Sequence, residues 1–173
     1  MERLPVTCLV DAKDSLGEGC CWDAGAGVVW WLDIARPSRI HRLHPATGEH
    51  RVWYSSLLLT ALALRNSDGL ILGGEDGVYD FDPATGAITP FAKPEDDRPQ
   101  NRFNDGACDP QGRLWIGTMH QNIGPGRDPS SCSSPFDGKR STTKRPRASV
   151  NRKYVTFSVE PPRMRSKVPA LSS

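Results

Sequence analysis

The sequence predicts an all-β fold: a β-propeller, of which this chain holds fewer than three blades, followed by a basic tail expected to be disordered. Three observations carry that prediction. A hairpin with one turn sequence occurs twice, as IHRLHPATGEHRVW from Ile40 to Trp53 and as VYDFDPATGAITPF from Val78 to Phe91. A polar turn containing Gly, followed by an apolar strand, occurs three times at blade-sized intervals. No stretch of the first 120 residues shows sustained 3.6-residue periodicity, whereas strands rich in Val, Ile, Trp and Tyr recur with turn signals between them.

In each PATG hairpin, alternating apolar residues run into Pro-Ala-Thr-Gly, where Pro fixes φ early in the turn and Gly supplies a positive φ late in it. The second recurring element is Trp22-Asp23-Ala24-Gly25 before VVWWLDI, Ser67-Asp68-Gly69 before LILGG, and Asp109-Pro110-Gln111-Gly112 before RLWIGT. Gly25, Gly69 and Gly112 stand 44 and 43 residues apart, the length of one four-stranded blade built from two hairpins. A β-sandwich shares the strand spacing but does not require the same turn to return at that period.

Charge divides the chain near His120. Residues 1–120 hold 11 Lys and Arg against 17 Asp and Glu, and residues 121–173 hold 11 against 3, a switch that the overall net charge of +2 conceals. The reading is therefore a partial propeller over 1–120 and a Ser/Pro-rich basic tail over 121–173. The tail has 7 Pro and 10 Ser, with few large apolar residues outside Tyr154 to Val159. Such a composition buries too little apolar surface to offset the entropy of ordering, so disorder is expected except for a strand-like Lys153 to Val159. A change of reading frame would produce a switch of this kind.

No apolar run approaches the roughly 20 residues that span a bilayer, and Met-Glu-Arg-Leu-Pro does not begin a secretory signal. A soluble cytoplasmic protein is expected. Cys8, Cys20, Cys21, Cys108 and Cys132 form no CxxC pair and no Cys/His ligand spacing, so reduced thiols are expected rather than a disulfide framework or a structural zinc site. His41, His44 and His50 fall in or beside an outer hairpin and read as solvated strand or turn residues.

The ordered set Leu16-Gly17-Glu18-Gly19 before Trp22-Asp23, Trp31-Leu32-Asp33-Ile34, the PATG hairpins, Asn101-Arg102-Phe103-Asn104-Asp105-Gly106, Asp109-Pro110 and Gly117-Thr118-Met119 resembles the senescence marker protein/gluconolactonase family, which includes regucalcin. The resemblance runs over about residues 7–119. It implies a six-bladed propeller that hydrolyses small sugar lactones with a single divalent metal in its central channel, Ca²⁺ or Zn²⁺, with Mg²⁺ or Mn²⁺ as alternatives. By position it implies Glu18 as a metal ligand, and Arg102 and Asn104 as substrate-binding residues.

Those residue types suit the chemistry. Ring opening needs water delivered to a carbonyl carbon and stabilisation of an oxyanion, and a divalent ion on hard oxygen donors supplies both. An Arg fork and an Asn amide offer the donors and acceptors that a polyhydroxylated ligand uses. Each residue also has a plainer reading. Glu18 between two glycines suits an exposed loop carboxylate, Asn104-Asp105-Gly106 suits a turn, and Arg102 suits an ion pair with the Glu95-Asp96-Asp97 run.

The resemblance ends after Met119. The family's other two metal ligands, an Asn and an Asp of later blades, have no counterpart here, and His120-Gln121-Asn122 stands where the family usually carries an acidic residue. Weak or absent activity is therefore expected of the chain alone, together with self-association through the exposed sheet edges of a broken ring. The alternative is a non-catalytic binding module whose Lys139-Arg140 and Lys144-Arg145-Pro146-Arg147 contact acidic partners; sparse aromatic residues give no support to nucleic-acid stacking.

Overall fold

The computed structural model describes residues 6–65 and 68–121, and the backbone of 153–156. Every regular element among them is a strand. Strands β1 (Gly17–Asp23), β2 (Val28–Asp33), β3 (Ser38–His44) and β4 (Glu49–Ser55) form one antiparallel sheet in chain order. A second repeats the pattern with β5 (Leu59–Leu64), β6 (Leu70–Gly74), β7 (Val78–Asp82) and β8 (Ala87–Ala92). A third holds β9 (Asn101–Cys108), β10 (Leu114–His120) and β11 (Lys153–Thr156) in the order β11-β10-β9. Two blades and three strands of another follow the predicted period.

Both PATG segments close the last hairpin of a sheet. Gly48 and Gly86 take φ of 75° and 77°, the left-handed region that a side chain disfavours, and their N–H groups donate to His44 O at 2.8 Å and Asp82 O at 2.7 Å. The predicted strand in the tail is present over Lys153–Thr156, where it pairs with β10. The basic clusters at 139–147, Cys132 and the expected disorder lie outside the described residues.

The second sheet is the centre of the packing. All six residues of β5 (LTALAL) are buried because both faces of that sheet are covered. One face is large: Leu62, Leu64, Leu70, Leu72, Tyr79 and Phe81 pack against Trp30, Leu32 and Ile40 of the first sheet. Trp30 and Trp53 stack at 5.7 Å, and Phe81 meets both edge-on at 6.5 and 5.4 Å. The other face is small, with Ala61, Ala63, Ile71 and Val78 against Phe103, Leu114 and Ile116 of the third sheet. Strand alternation delivers this, since neighbours in sequence point to opposite faces.

The first sheet's far face corrects the expectation for one histidine. His41 is fully buried, stacked on Trp31 at 4.6 Å, with its Nδ1 3.0 Å from His50 Nε2. The segment before β1 covers it: Asp14 Oδ2 accepts the Trp31 indole N–H at 2.7 Å, and Asp14 Oδ1 lies 3.3 Å from His41 Nε2. Burial pushes the His41 imidazole below its ordinary value. Arg39 fastens the same segment, donating to Ala12 O at 3.1 Å, Lys13 O at 2.9 Å and Asp33 Oδ2 at 2.6 Å. A period-2 pattern does not reveal cover supplied by a segment outside the sheet.

Candidate functional site

The opening strands of the three sheets, β1, β5 and β9, lie side by side, and each carries a register shift. The shifts fall between Glu18 and Cys21, between Leu59 and Ala61, and between Phe103 and Gly106, whose partners are Thr118 and Ile116. Such bulges bend a strand and re-aim its side chains. In β1, Gly19 takes a φ of 67° just after Glu18, which leaves that carboxylate exposed beside the shift and opposite Leu32.

In β9 the three residues read from sequence as a turn are part of the strand. Asn104 and Asp105 lie within the shift, opposite the single residue Gly117, and Gly106 pairs with Ile116, so β9 carries one extra residue between the pairs on either side. A Cβ on Gly106 would stand 2.8 Å from Trp115 O, so only glycine allows that approach. Arg102 is half-buried, and its Nη1 donates to Phe103 O at 2.9 Å and to Asn104 Oδ1 at 3.4 Å. The anticipated ion pair of Arg102 with the 95–97 run is not formed. Arg98 takes that place, 3.6 Å from Glu95 and 3.7 Å from Asp97, while Asn101 Nδ2 donates to Glu95 Oε2 at 2.9 Å.

Glu18 and Arg102 are remote in sequence, on strands that both pack against β5. Burial pushes the Arg102 guanidinium down from its ordinary value, and the Glu18 carboxylate holds it up. Glu18 thus stands on β1, and Arg102 and Asn104 on β9, the two strands that flank β5. Thr60 was not singled out from sequence, although a lone hydroxyl inside LTALAL was the available signal. It is buried, and its Oγ1 donates to Phe103 O at 2.9 Å, tying β5 to the strand that carries Arg102 and Asn104. His120, at the end of β10, sets its Nε2 2.7 Å from Gln100 Oε1 and so helps fasten the loop before β9.

The donors do not compose a metal centre. Among the described residues no group of three or more His, Cys, Asp or Glu side chains converges, and Glu18 alone offers too few oxygens for a divalent ion. Among the described residues, Cys8, Cys20, Cys21 and Cys108 form no disulfide. Among the described residues no helix is long and apolar enough to cross a membrane.

Comparison with known proteins agrees with this architecture. Over 125 residues the chain is 30% identical to regucalcin of Xenopus laevis, a match covering 72% of this chain and 42% of that protein. Over 114 residues it is 33% identical to 6-deoxy-6-sulfogluconolactonase of Pseudomonas putida, covering 66% and 39%. The crystal structure of regucalcin from Agrobacterium tumefaciens, described as a calcium-binding protein, superimposes with a TM-score of 0.57 at 39% identity, over 62% of this chain and 36% of that one. The chain thus spans about two fifths of the length of these relatives. The SMP-30/Gluconolactonase/LRE-like region matches residues 16–151, extending past the charge boundary near His120. On that match, over well more than half its length, the chain belongs to the SMP-30/gluconolactonase/LRE-like family.

Proposed function

We propose that this chain carries the substrate-gripping part of a site that hydrolyses small sugar lactones, with Arg102 and Asn104 on the lactone and Glu18 as one ligand of a divalent metal. The observation that supports this reading is the placement of Glu18 on β1 and of Arg102 and Asn104 on β9, the two strands that flank β5, with Arg102 Nη1 donating to Asn104 Oδ1 at 3.4 Å. Arg102 offers a planar fork of N–H donors, complementary to the lactone carbonyl oxygen and to the carboxylate formed when the ring opens. Asn104 offers an acceptor and a donor to ring hydroxyls. A bound divalent ion would supply polarisation of the carbonyl and an activated water, but one carboxylate does not hold it, so the described residues bind and orient rather than complete the catalytic set.

The test is a lactone-binding and ring-opening assay on the chain. The reading predicts saturable binding of glucono-1,5-lactone that Arg102→Met or Asn104→Ala weakens by roughly tenfold or more, the loss of one to two hydrogen bonds to a charged or amide donor. Any ring opening above the spontaneous rate is sensitive to chelator and lost in Glu18→Gln. Binding indifferent to both substitutions, or ring opening that survives chelation, would overturn it.

A further inference from the structure

Beside Arg102 the fold encloses a cavity of about 260 Å³, between the β6–β7 turn, the loop joining β8 to β9, and the first residues of β9. Its size falls just under the roughly 300–1,000 Å³ of sites for drug-sized ligands, so it suits something no larger than a monosaccharide. The walls are fixed by the fold. Gly74 N donates to Gly77 O at 2.8 Å across the turn, while in the loop Arg98 N donates to Glu95 O and Asn101 N to Arg98 O, each at 2.9 Å. Gln121 N donates to Gln100 O at 2.8 Å and ties the loop to the strand end of the third sheet.

The cavity's charges are unequal. Glu75, Asp76, Glu95 and Asp96 face three cations, Lys93, Arg98 and Arg102. Two of those cations are committed: Lys93 Nζ lies 2.9 Å from Asp76 Oδ2, and Arg98 bridges Glu95 and Asp97. Glu75 is paired in turn with Arg36 from outside the cavity, and Asp76 also accepts from the Tyr79 hydroxyl. Among the described residues Arg102, by contrast, has no carboxylate within ion-pair distance, and its Nη1 donates to Phe103 O and Asn104 Oδ1. A ligand entering here finds a donor fork at one end and carboxylate acceptors around it, with Phe103 and Pro99 completing the lining. Sugar hydroxyls donate to carboxylates and accept from guanidinium, and the C–H face of a sugar packs on apolar surface. A sulfonate, phosphate or carboxylate would meet a wall with one more carboxylate than cations, two of those cations already paired.

We propose that this cavity receives the hydroxylated arm of a neutral sugar lactone bound at Arg102, and that its acidic excess discriminates against sugars bearing an anionic group. The proposal rests on the sugar-lactone reading of Arg102 and Asn104 and adds a selectivity pocket to it. Glu95 and Asp96 set the selectivity, and the loop that carries them positions the arm.

The experiment is amide chemical-shift mapping on the full chain, with 1,5-anhydroglucitol as a neutral, hydrolysis-proof probe and glucose 6-phosphate as an anionic one. The neutral probe shifts amides at Asn101, Arg102 and Thr118 together with those of the 95–98 loop, and the anionic probe binds at least roughly tenfold more weakly. In the double substitution Glu95→Gln, Asp96→Asn, which keeps side-chain size, the anionic probe gains roughly three- to tenfold while the neutral probe changes little, an effect that shrinks with added salt. Neutral-probe shifts confined to Arg102 and Asn104, with the loop unmoved, overturn the pocket and leave the lactone reading standing. An unchanged ratio of the two probes in the double variant overturns the acidic selectivity. Absence of shifts at Arg102 as well overturns both readings together.

Discussion

Gly73 offers the most exacting test of how the second and third sheets meet. A Cβ built there would lie 2.4 Å from Ile116 Cδ1, 3.2 Å from Ala61 Cβ and 3.4 Å from Phe103 Cβ, and all three neighbours are buried. Gly73→Ala thus overpacks a closed interface, at a cost of about 1–3 kcal/mol. Removing a glycine also reduces the freedom of the unfolded chain, which returns about 0.4–1 kcal/mol. The expected net loss is about 1–2 kcal/mol. Ile116→Val removes the offending Cδ1 and by itself costs about 0.5–1.5 kcal/mol. With that atom gone, the added methyl fills the space it left, so the double variant should be no less stable than Ile116→Val. Urea unfolding followed by tryptophan fluorescence gives all three differences from midpoint shifts at constant slope. Two results would refute the reasoning: a neutral Gly73→Ala, or losses that add to within about 0.5 kcal/mol, since additivity marks residues that do not touch.

Two further predictions concern the first sheet and its packing against the second. Phe81 is fully buried between Trp30 and Trp53, so Phe81→Ala should cost about 3–5 kcal/mol in the same denaturation measurement, whereas truncating the 70% exposed Tyr54 should cost little. Burial pushes the Asp33 carboxyl up, but Arg39 and the backbone N–H groups of Leu16, Ser15 and Ala35 outweigh it and bring the group down from 3.8 to about 2. A carboxyl lowered by folding stabilises fully above its unfolded value, and that contribution of about 2 kcal/mol is lost as pH falls from about 4 through 2. Stability measured against pH should show this slope, and Asp33→Asn should flatten it.

Local chemistry made the strands and their turns legible in the sequence. PATG specifies its own geometry through Pro and a positive-φ Gly, and LILGG or VVWWLDI can only be strands at those lengths. The size contrast across the second sheet is also written there, in the alternation of Leu and Ala along β5, although its meaning appears only once the neighbouring sheets are in place. The candidate residues were legible through a resemblance that fixed their order along the chain. The register shifts beside them were not, because a bulge depends on how two strands count against each other and leaves no periodic trace. The same holds for His41: its burial comes from Asp14 and the segment before β1, residues with no pattern of their own. Charge counting suggested Arg102 as a partner for the 95–97 run, whereas geometry gave that role to Arg98 and turned Arg102 to Phe103 O and Asn104 Oδ1.

The central claim is that Glu18 of β1 and Arg102 of β9 act on one another at the start of the two strands. Side-chain NMR of the Arg102 guanidinium tests it most directly, by following the Nε–Hε signal as pH is lowered through the carboxylate range. In the native chain the signal should move as the neighbouring carboxylate is neutralised, and in Glu18→Gln it should stay nearly still. A signal that titrates alike in both proteins, or in neither, would contradict the account.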